Sequence, residues 1–168
     1  EPDALIISGD IFDSPNPSVE VQRLFFDFLN QCTQENEGMQ VVVIAGNHDS
    51  GARIEAAEEL LRLHNIYVRG TVQRKGENID FERNILPLSP RHTSEAAVVC
   101  YALPFLRSMD YPHNLSVEGG IKYHLQQMDK CHKASEFKKL PVVLAAHFYA
   151  VGAFVNEQEH SERLVVGG

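Results

Sequence analysis

Asn47, His48 and Asp49 stand side by side after Gly46, at the end of the apolar run Val41-Val42-Val43-Ile44. Packing a core does not call for an amide, an imidazole and a carboxylate at the end of a buried strand, whereas holding a cation or a phosphate does. Two other apolar runs end in the same way. Leu5-Ile6-Ile7 leads to Asp10, within Gly9-Asp10-Ile11-Phe12-Asp13, and Val142-Val143-Leu144-Ala145-Ala146 leads to His147. In open α/β sheets ligands bind beyond the carboxyl ends of the strands. Parallel neighbouring strands would therefore bring Asp10, Asn47, His48, Asp49 and His147 to one corner. A carboxylate, an amide oxygen and an imidazole suit a borderline-hard divalent cation such as Mn²⁺, Fe²⁺ or Zn²⁺, and the absence of cysteine from the set argues against a structural zinc. Gly9 and Gly46 let the backbone turn tightly and approach closely. Each residue also has an ordinary reading alone: Asp10 as a turn residue or helix cap, Asn47 as a left-handed turn, His147 as a hydrogen-bonded core histidine. Only the joint pattern is specific.

The elements that must position these residues read as follows. Leu5-Ile6-Ile7 is a buried strand. The breaker cluster Ser14-Pro15-Asn16-Pro17 follows, and Ser18 is a helix N-cap. Val21, Leu24, Phe25, Phe28, Leu29 and Cys32 recur at helical spacing and predict an amphipathic helix to about residue 33. Residues 39–44 form a second strand. Residues 54–64 are a helix with Ala57, Leu60, Leu61 and His64 on one face, and residues 66–70 a third strand. This alternation implies parallel pairing. Residues 71–95 hold hairpin-like strands of a second sheet. A strand at 96–103 and another buried strand at 142–146 flank a helix from Val117 to about Phe137. An irregular loop at 149–160 precedes a last strand starting at Arg163.

The 168 residues, 43% of them apolar, allow one domain with a sizeable core. No apolar run approaches the roughly 20 residues of a membrane span. Cys32, Cys100 and Cys131 form no C-x-x-C pair and read as reduced structural thiols of a cytosolic protein. A net charge of −8 excludes a uniformly basic surface, so a polyanionic substrate requires bound cations or a local basic patch. The chain begins without Met, and both ends read as cut from a longer protein.

Gly9-Asp10-Ile11-Phe12-Asp13 and Gly46-Asn47-His48-Asp49 resemble the two central motifs of the calcineurin-like metallophosphoesterases. Asp49-Ser50, Pro104-Phe105-Leu106-Arg107, and Ala146-His147-Phe148 with Val151-Gly152-Ala153 resemble the SbcD-type branch. Its members are nuclease subunits that act with SbcC-like coiled-coil ATPases in DNA repair. The resemblance covers essentially the whole chain. It implies an α/β fold, a four-layer α/β/β/α sandwich of two central mixed sheets flanked by helices, incomplete at both termini. Residues 1–168 would be one catalytic domain, truncated before a D-x-H motif and before a G-H-x-H motif.

The same resemblance implies two-metal hydrolysis of DNA phosphodiesters by an exonuclease or endonuclease subunit, in double-strand-break repair and hairpin processing. It implies two divalent ions, Mn foremost with Mg, Fe or Zn as alternatives. The implied partners are DNA, an SbcC-like ATPase and a second nuclease subunit, in the cytoplasm and without a membrane. Carried over by position, Asp10 resembles the aspartate bridging two metals, and Asn47 and His147 resemble ligands of the second. His48 resembles the histidine that hydrogen-bonds the scissile phosphate and assists the leaving oxygen. Asp49 either orients and polarises His48 or holds the turn, and Asp13 supports its own loop. Arg53 is placed to touch a DNA phosphate or merely opens a solvated helix. His113, His124, His132 and His160 fall in no motif and are expected on the surface. Without the outer motifs the first metal keeps only Asp10 from this chain. Two rival readings stand: another superfamily enzyme (a phosphatase, nucleotidase or cyclic-nucleotide phosphodiesterase), or, for the 168 residues alone, a non-catalytic remnant of the fold.

Overall fold

The computed structural model describes residues 2–149. Its first half alternates strands and helices. Strand β1 (Ala4–Ser8) is followed by helix α1 (Val19–Glu35), strand β2 (Gln40–Ile44), the short helices α2 (Gly51–Glu55) and α3 (Glu58–Leu61), and strand β3 (Ile66–Arg69). A two-strand ribbon, β4 (Arg74–Lys75) and β5 (Asn78–Ile79), leads into the second half. There strands β6 (Ile85–Leu88) and β7 (Val98–Leu103) precede helix α4 (Val117–Ala134) and strand β8 (Val142–Ala146). Strands β1, β2 and β3 form one sheet in that order, and β6, β7 and β8 form another.

Period-two alternation sorts the side chains into layers. On β2, Val41 and Val43 pack with Leu29 of α1 and Ile54 of α2. Val42 and Ile44, on the opposite face, pack with Leu86, Leu88, Cys100, Ala102 and Ala145 of the other sheet. On β7, Val99, Tyr101 and Leu103 turn away from that interface and meet Met128 of α4. The order is helix, sheet, sheet, helix, as expected from the sequence. The second sheet is mixed, β6–β7 antiparallel and β7–β8 parallel. Among the described residues the first is parallel, as the alternation of strands and helices implies, because helical crossovers carry the chain back across it. The three chemistry-bearing strands are not all neighbours. β1 and β2 pair directly, while β8 belongs to the other sheet and meets β1 across the interface.

The helices depart from the sequence reading in informative ways. Ser18 caps α1 by accepting from the Val21 N–H, but only the Phe25, Leu29 and Cys32 side of the expected face packs on the sheet. Val21, Leu24 and Phe28 are exposed. The single helix expected over 54–64 is broken at Ala57, and its buried face is Ile54, Glu58 and Leu61 rather than Leu60 and His64. Glu58 turns inward because Arg69, at the buried end of β3, holds it at 3.0 Å. Arg83 closes the network at 2.6 Å from Glu55 and 3.2 Å from Glu58. Helix α4 stops at Ala134, short of Phe137: the Ser135 backbone and hydroxyl both donate to the His132 carbonyl, and the chain turns off.

Two histidines expected on the surface are buried on that helix. The Nε2–H of His132 donates to the Phe137 carbonyl at 2.8 Å, which leaves Nδ1 to accept from the Tyr101 hydroxyl at 2.9 Å. The Nε2–H of His124 donates to the Asp110 carbonyl at 2.7 Å, among Phe81 and Tyr123, while its Nδ1 is buried without a partner among the described residues. Both replace bulk water with backbone and aromatic partners, a use of histidine that no local sequence pattern announces. His113 is exposed as expected, and His160, the loop at 149–160 and the strand starting at Arg163 lie outside the described residues, except Tyr149. Burial pushes the His124 imidazole below its ordinary pKa. The folded state therefore favours neutral His124, and its contribution is complete above the unfolded value near 6.5. It is lost as pH falls below that value towards the lowered native one, with a slope of at most about 1.4 kcal/mol per pH unit. Urea unfolding between pH 7.5 and about 5 should show this decline, and His124→Gln should flatten it.

Candidate metal and phosphate site

Strands β1 and β2 end level, with Ser8 opposite Ile44, and β7 and β8 end with Leu103 opposite Ala146. The loops leaving β1, β2 and β8 therefore share one corner. Gly9 adopts φ +90°, and a Cβ there would run into the His147 ring. Gly46 lies so close to Asp10 that a Cβ would collide with its carboxylate and backbone nitrogen. Asp10 itself is held at φ +47°, a left-handed conformation costly for a residue with a side chain and typical of functional loops.

Three of the sequence candidates converge. The Nε2 of His147 lies 2.9 Å from Asn47 Oδ1 and 3.4 Å from Asp10 Oδ2. The other ring nitrogen, Nδ1, donates its hydrogen to the Ser8 carbonyl at 2.9 Å. That bond fixes the tautomer: in the neutral ring Nε2 presents a lone pair to two oxygens that are acceptors too. Three lone pairs facing one point repel unless a proton or a cation sits among them. A carboxylate, an amide oxygen and an imidazole whose far nitrogen is held by a backbone carbonyl also make up a transition-metal donor set with its outer support. The residues present thus fit a divalent cation. Among the described residues no group of three or more His, Cys, Asp or Glu side chains gathers as a metal site. Only two members of this triad are of those types, and Asn47 is the third.

His48 enters through its backbone, with its N–H donating to Asp10 Oδ1 at 3.1 Å. The carboxylate of Asp10 thus serves two loops at once, one oxygen on His48 and the other towards His147. Asp49 lies beneath this layer at 1% exposure. Its oxygens accept from the Gly46 N–H at 2.8 Å, the Ile11 N–H at 3.1 Å and the Phe12 N–H at 3.0 Å. Of the two roles open to it from sequence, these bonds support the holding of the turn; none of them reaches the His48 ring. Asp13 is exposed and takes no part in these bonds, and Arg53 stands exposed on α2. Among the described residues the Arg53 guanidinium has no hydrogen bond or ion pair.

Pro104-Phe105-Leu106-Arg107, which has no role assigned from sequence, borders the same corner. The Phe105 N–H donates to the Ala45 carbonyl at 2.9 Å, which docks this loop on the residue before Gly46. The Phe105 ring meets the His147 ring edge-on, with centroids 6.3 Å apart, and the Arg107 guanidinium lies 5.9 Å from the Phe105 centroid. The usable signal is an aromatic and a cation two residues apart, directly after a strand that ends in proline.

Asp49→Asn should destabilise the fold by about 2–4 kcal/mol, since an amide NH₂ would face backbone N–H groups left without an acceptor. Urea unfolding measures this. Unchanged stability with lost turnover would point instead to a polarising role on His48.

A family model described as calcineurin-like phosphoesterase matches residues 1–163. The SbcD component of the nuclease SbcCD from Rhodobacter capsulatus is 34% identical over 99% of this chain and 42% of its own length. Its counterpart from Escherichia coli K12 is 28% identical over 90% of this chain and 38% of its own. The DNA double-strand break repair protein Mre11 of Nanoarchaeum equitans is 43% identical over 49 residues, 29% of this chain and 13% of its own. The chain thus spans about two fifths of the length of the first two relatives. With the family model spanning nearly every residue, and Gly9-Asp10 and Gly46-Asn47-His48-Asp49 folded into one corner, the chain belongs to the calcineurin-like phosphoesterases.

Proposed function

We propose that this chain is part of the catalytic domain of a metal-dependent DNA nuclease of the SbcD type. It would hydrolyse phosphodiesters as part of a longer protein that acts with an SbcC-like ATPase in double-strand-break repair. The observation that carries this reading is the convergence of Asp10, Asn47 and His147 through Oδ2, Oδ1 and Nε2 respectively. The names of the relatives supply the substrate and the partner.

Divalent ions, two of them and foremost Mn²⁺ in this reading, would supply charge for the phosphate and acidify a water for in-line attack. Asp10, Asn47 and His147 would hold ions, with Asp10 shared between the two. His147 keeps its Nε2 lone pair available because Ser8 occupies the opposite nitrogen. His48, tethered by its own N–H to Asp10, would bring its imidazole to the phosphate and stabilise charge on the leaving oxygen. Asp49 acts on the reaction through the loops it fastens. Arg53 contributes at most one phosphate contact to DNA. The free thiols fit a reducing, cytoplasmic setting, with buried Cys100 pushed up to about 11 by desolvation. No helix among the described residues is long and apolar enough to cross a membrane. Exposed apolar residues, Val21, Leu24 and Phe28 on α1 and Leu60 and Leu63 beyond it, are consistent with association with a second nuclease subunit.

The deciding experiment offers the full-length protein linear duplex DNA, p-nitrophenyl phosphate and a cyclic nucleotide, with Mn²⁺ and with EDTA. Metal-dependent cleavage of DNA in preference to the other two is expected, and preference for either small substrate would select a phosphatase or a cyclic-nucleotide phosphodiesterase. His48→Ala should retain bound metal and lose about two to four powers of ten in DNA cleavage. His147→Ala should lose metal, read by elemental analysis after gel filtration. Metal loss from the His48 variant would make His48 a ligand instead. The 168 residues alone should bind metal weakly and turn over negligibly, checked with the same assays on the isolated chain.

A further inference from the structure

The loop after β7 carries a cation to the edge of the site and leaves it without an acidic partner among the described residues. Its position is fixed at successive points. Pro104 and Leu106 are buried, and the Phe105 N–H is bonded to the Ala45 carbonyl, next to the Gly46-Asn47 turn. The Arg107 N–H donates to Asp110 Oδ2 at 2.7 Å, and the Asp110 N–H returns a bond to the Arg107 carbonyl at 2.9 Å. Asp110 is the acid nearest in sequence, and it spends that oxygen on the Arg107 backbone. Its own carbonyl is taken by His124. The guanidinium therefore makes no ion pair among the described residues, in a chain of net charge −8. It lies instead against the Phe105 ring, whose other neighbours are His147 and Tyr149. A guanidinium packed on an aromatic ring keeps its N–H fork free for a planar or tetrahedral oxyanion.

We propose that Arg107 binds a phosphate of the substrate strand next to the scissile one, with Phe105 fixing the guanidinium at that spacing. This rests on the phosphodiesterase reading above and adds to it a residue for which a polynucleotide, rather than a small phosphodiester, is the ligand. The Phe105 ring neighbours both the guanidinium, 5.9 Å from its centroid, and the His147 imidazole, 6.3 Å between centroids, so Arg107 would meet a phosphate next to the one held beside His147. A contact of that kind positions the strand and carries no base information.

The test uses the full-length protein with Mn²⁺ and two substrates: an oligonucleotide of about 20 nucleotides and bis-p-nitrophenyl phosphate, which has no neighbouring phosphate. Arg107→Ala should raise KM for the oligonucleotide about tenfold and leave hydrolysis of the small diester unchanged. Arg107→Lys should recover part of the loss, since a point charge remains without the fork. Oligonucleotide binding in EDTA, followed by fluorescence anisotropy against salt, should lose about one unit of slope in Arg107→Ala. An unchanged KM and salt slope would overturn the proposal. So would an equal loss on both substrates, which would place Arg107 on the scissile phosphate or in the fold. If the wild-type protein cleaves neither substrate, the phosphodiesterase reading falls, and the salt slope still decides whether Arg107 contacts a phosphate.

Discussion

Two loops leave neighbouring parallel strands at the same level, and neither has a helix or a ladder to satisfy its first N–H groups. The Asp49 carboxylate satisfies three of them, from Gly46 within its own turn and from Ile11 and Phe12 across the corner. The three bonds share one buried carboxylate charge, and losing a charged acceptor typically costs about 1.5–3 kcal/mol. With the loops fastened in this way, Asp10 can be held in a backbone conformation that it would not adopt alone, and its carboxylate can accept from the His48 N–H. The donors meet because Asp49 pins the turns that present them.

The third strand end comes from the other sheet, so the site also depends on how closely the sheets approach. The facing side chains become smaller towards β7 and β8: Val42 and Ile44 on one side meet Cys100, Ala102 and Ala145 on the other. Small side chains let β8 come near enough to β1 for His147 to donate to the Ser8 carbonyl. That bond ties the two sheets together at the site and selects the tautomer that leaves Nε2 as an acceptor. A larger residue at Ala102 or Ala145 would act at a distance, by moving His147 off its two oxygens.

Most of the architecture was legible because it depends on burial. The apolar run at Val41 and the Ser18 cap are local patterns with one main physical meaning, whereas the run at Val142, read as a buried strand, forms the edge strand β8 with Val142, Val143 and Leu144 exposed among the described residues. What the sequence hid was the partner across space. Nothing near Glu58 says that Arg69 will pull it inward and break the helix at Ala57. Nothing near His124 or His132 says that the Asp110 and Phe137 carbonyls await them. The site residues were legible as types at strand ends, yet Asp49 carried two meanings until its three N–H donors were located. The sheet to which β8 belongs is likewise a fact of topology, not of composition.

Charge follows the same division. In the interior, cations and anions are spent on each other, Arg69 and Arg83 on Glu55 and Glu58. Burial alone would weaken the hold of Arg69 on its proton, and neighbouring Arg83 adds to that, with Glu58 opposing both. At the corner the balance is reversed: acceptors gather around His147 without a compensating cation among the described side chains, and an arginine nearby has no acid. An anionic substrate approaching a protein of net charge −8 meets repulsion almost everywhere else. Cations among Asp10, Asn47 and His147 would make the corner more attractive, so cation binding and substrate binding would be coupled there by electrostatics.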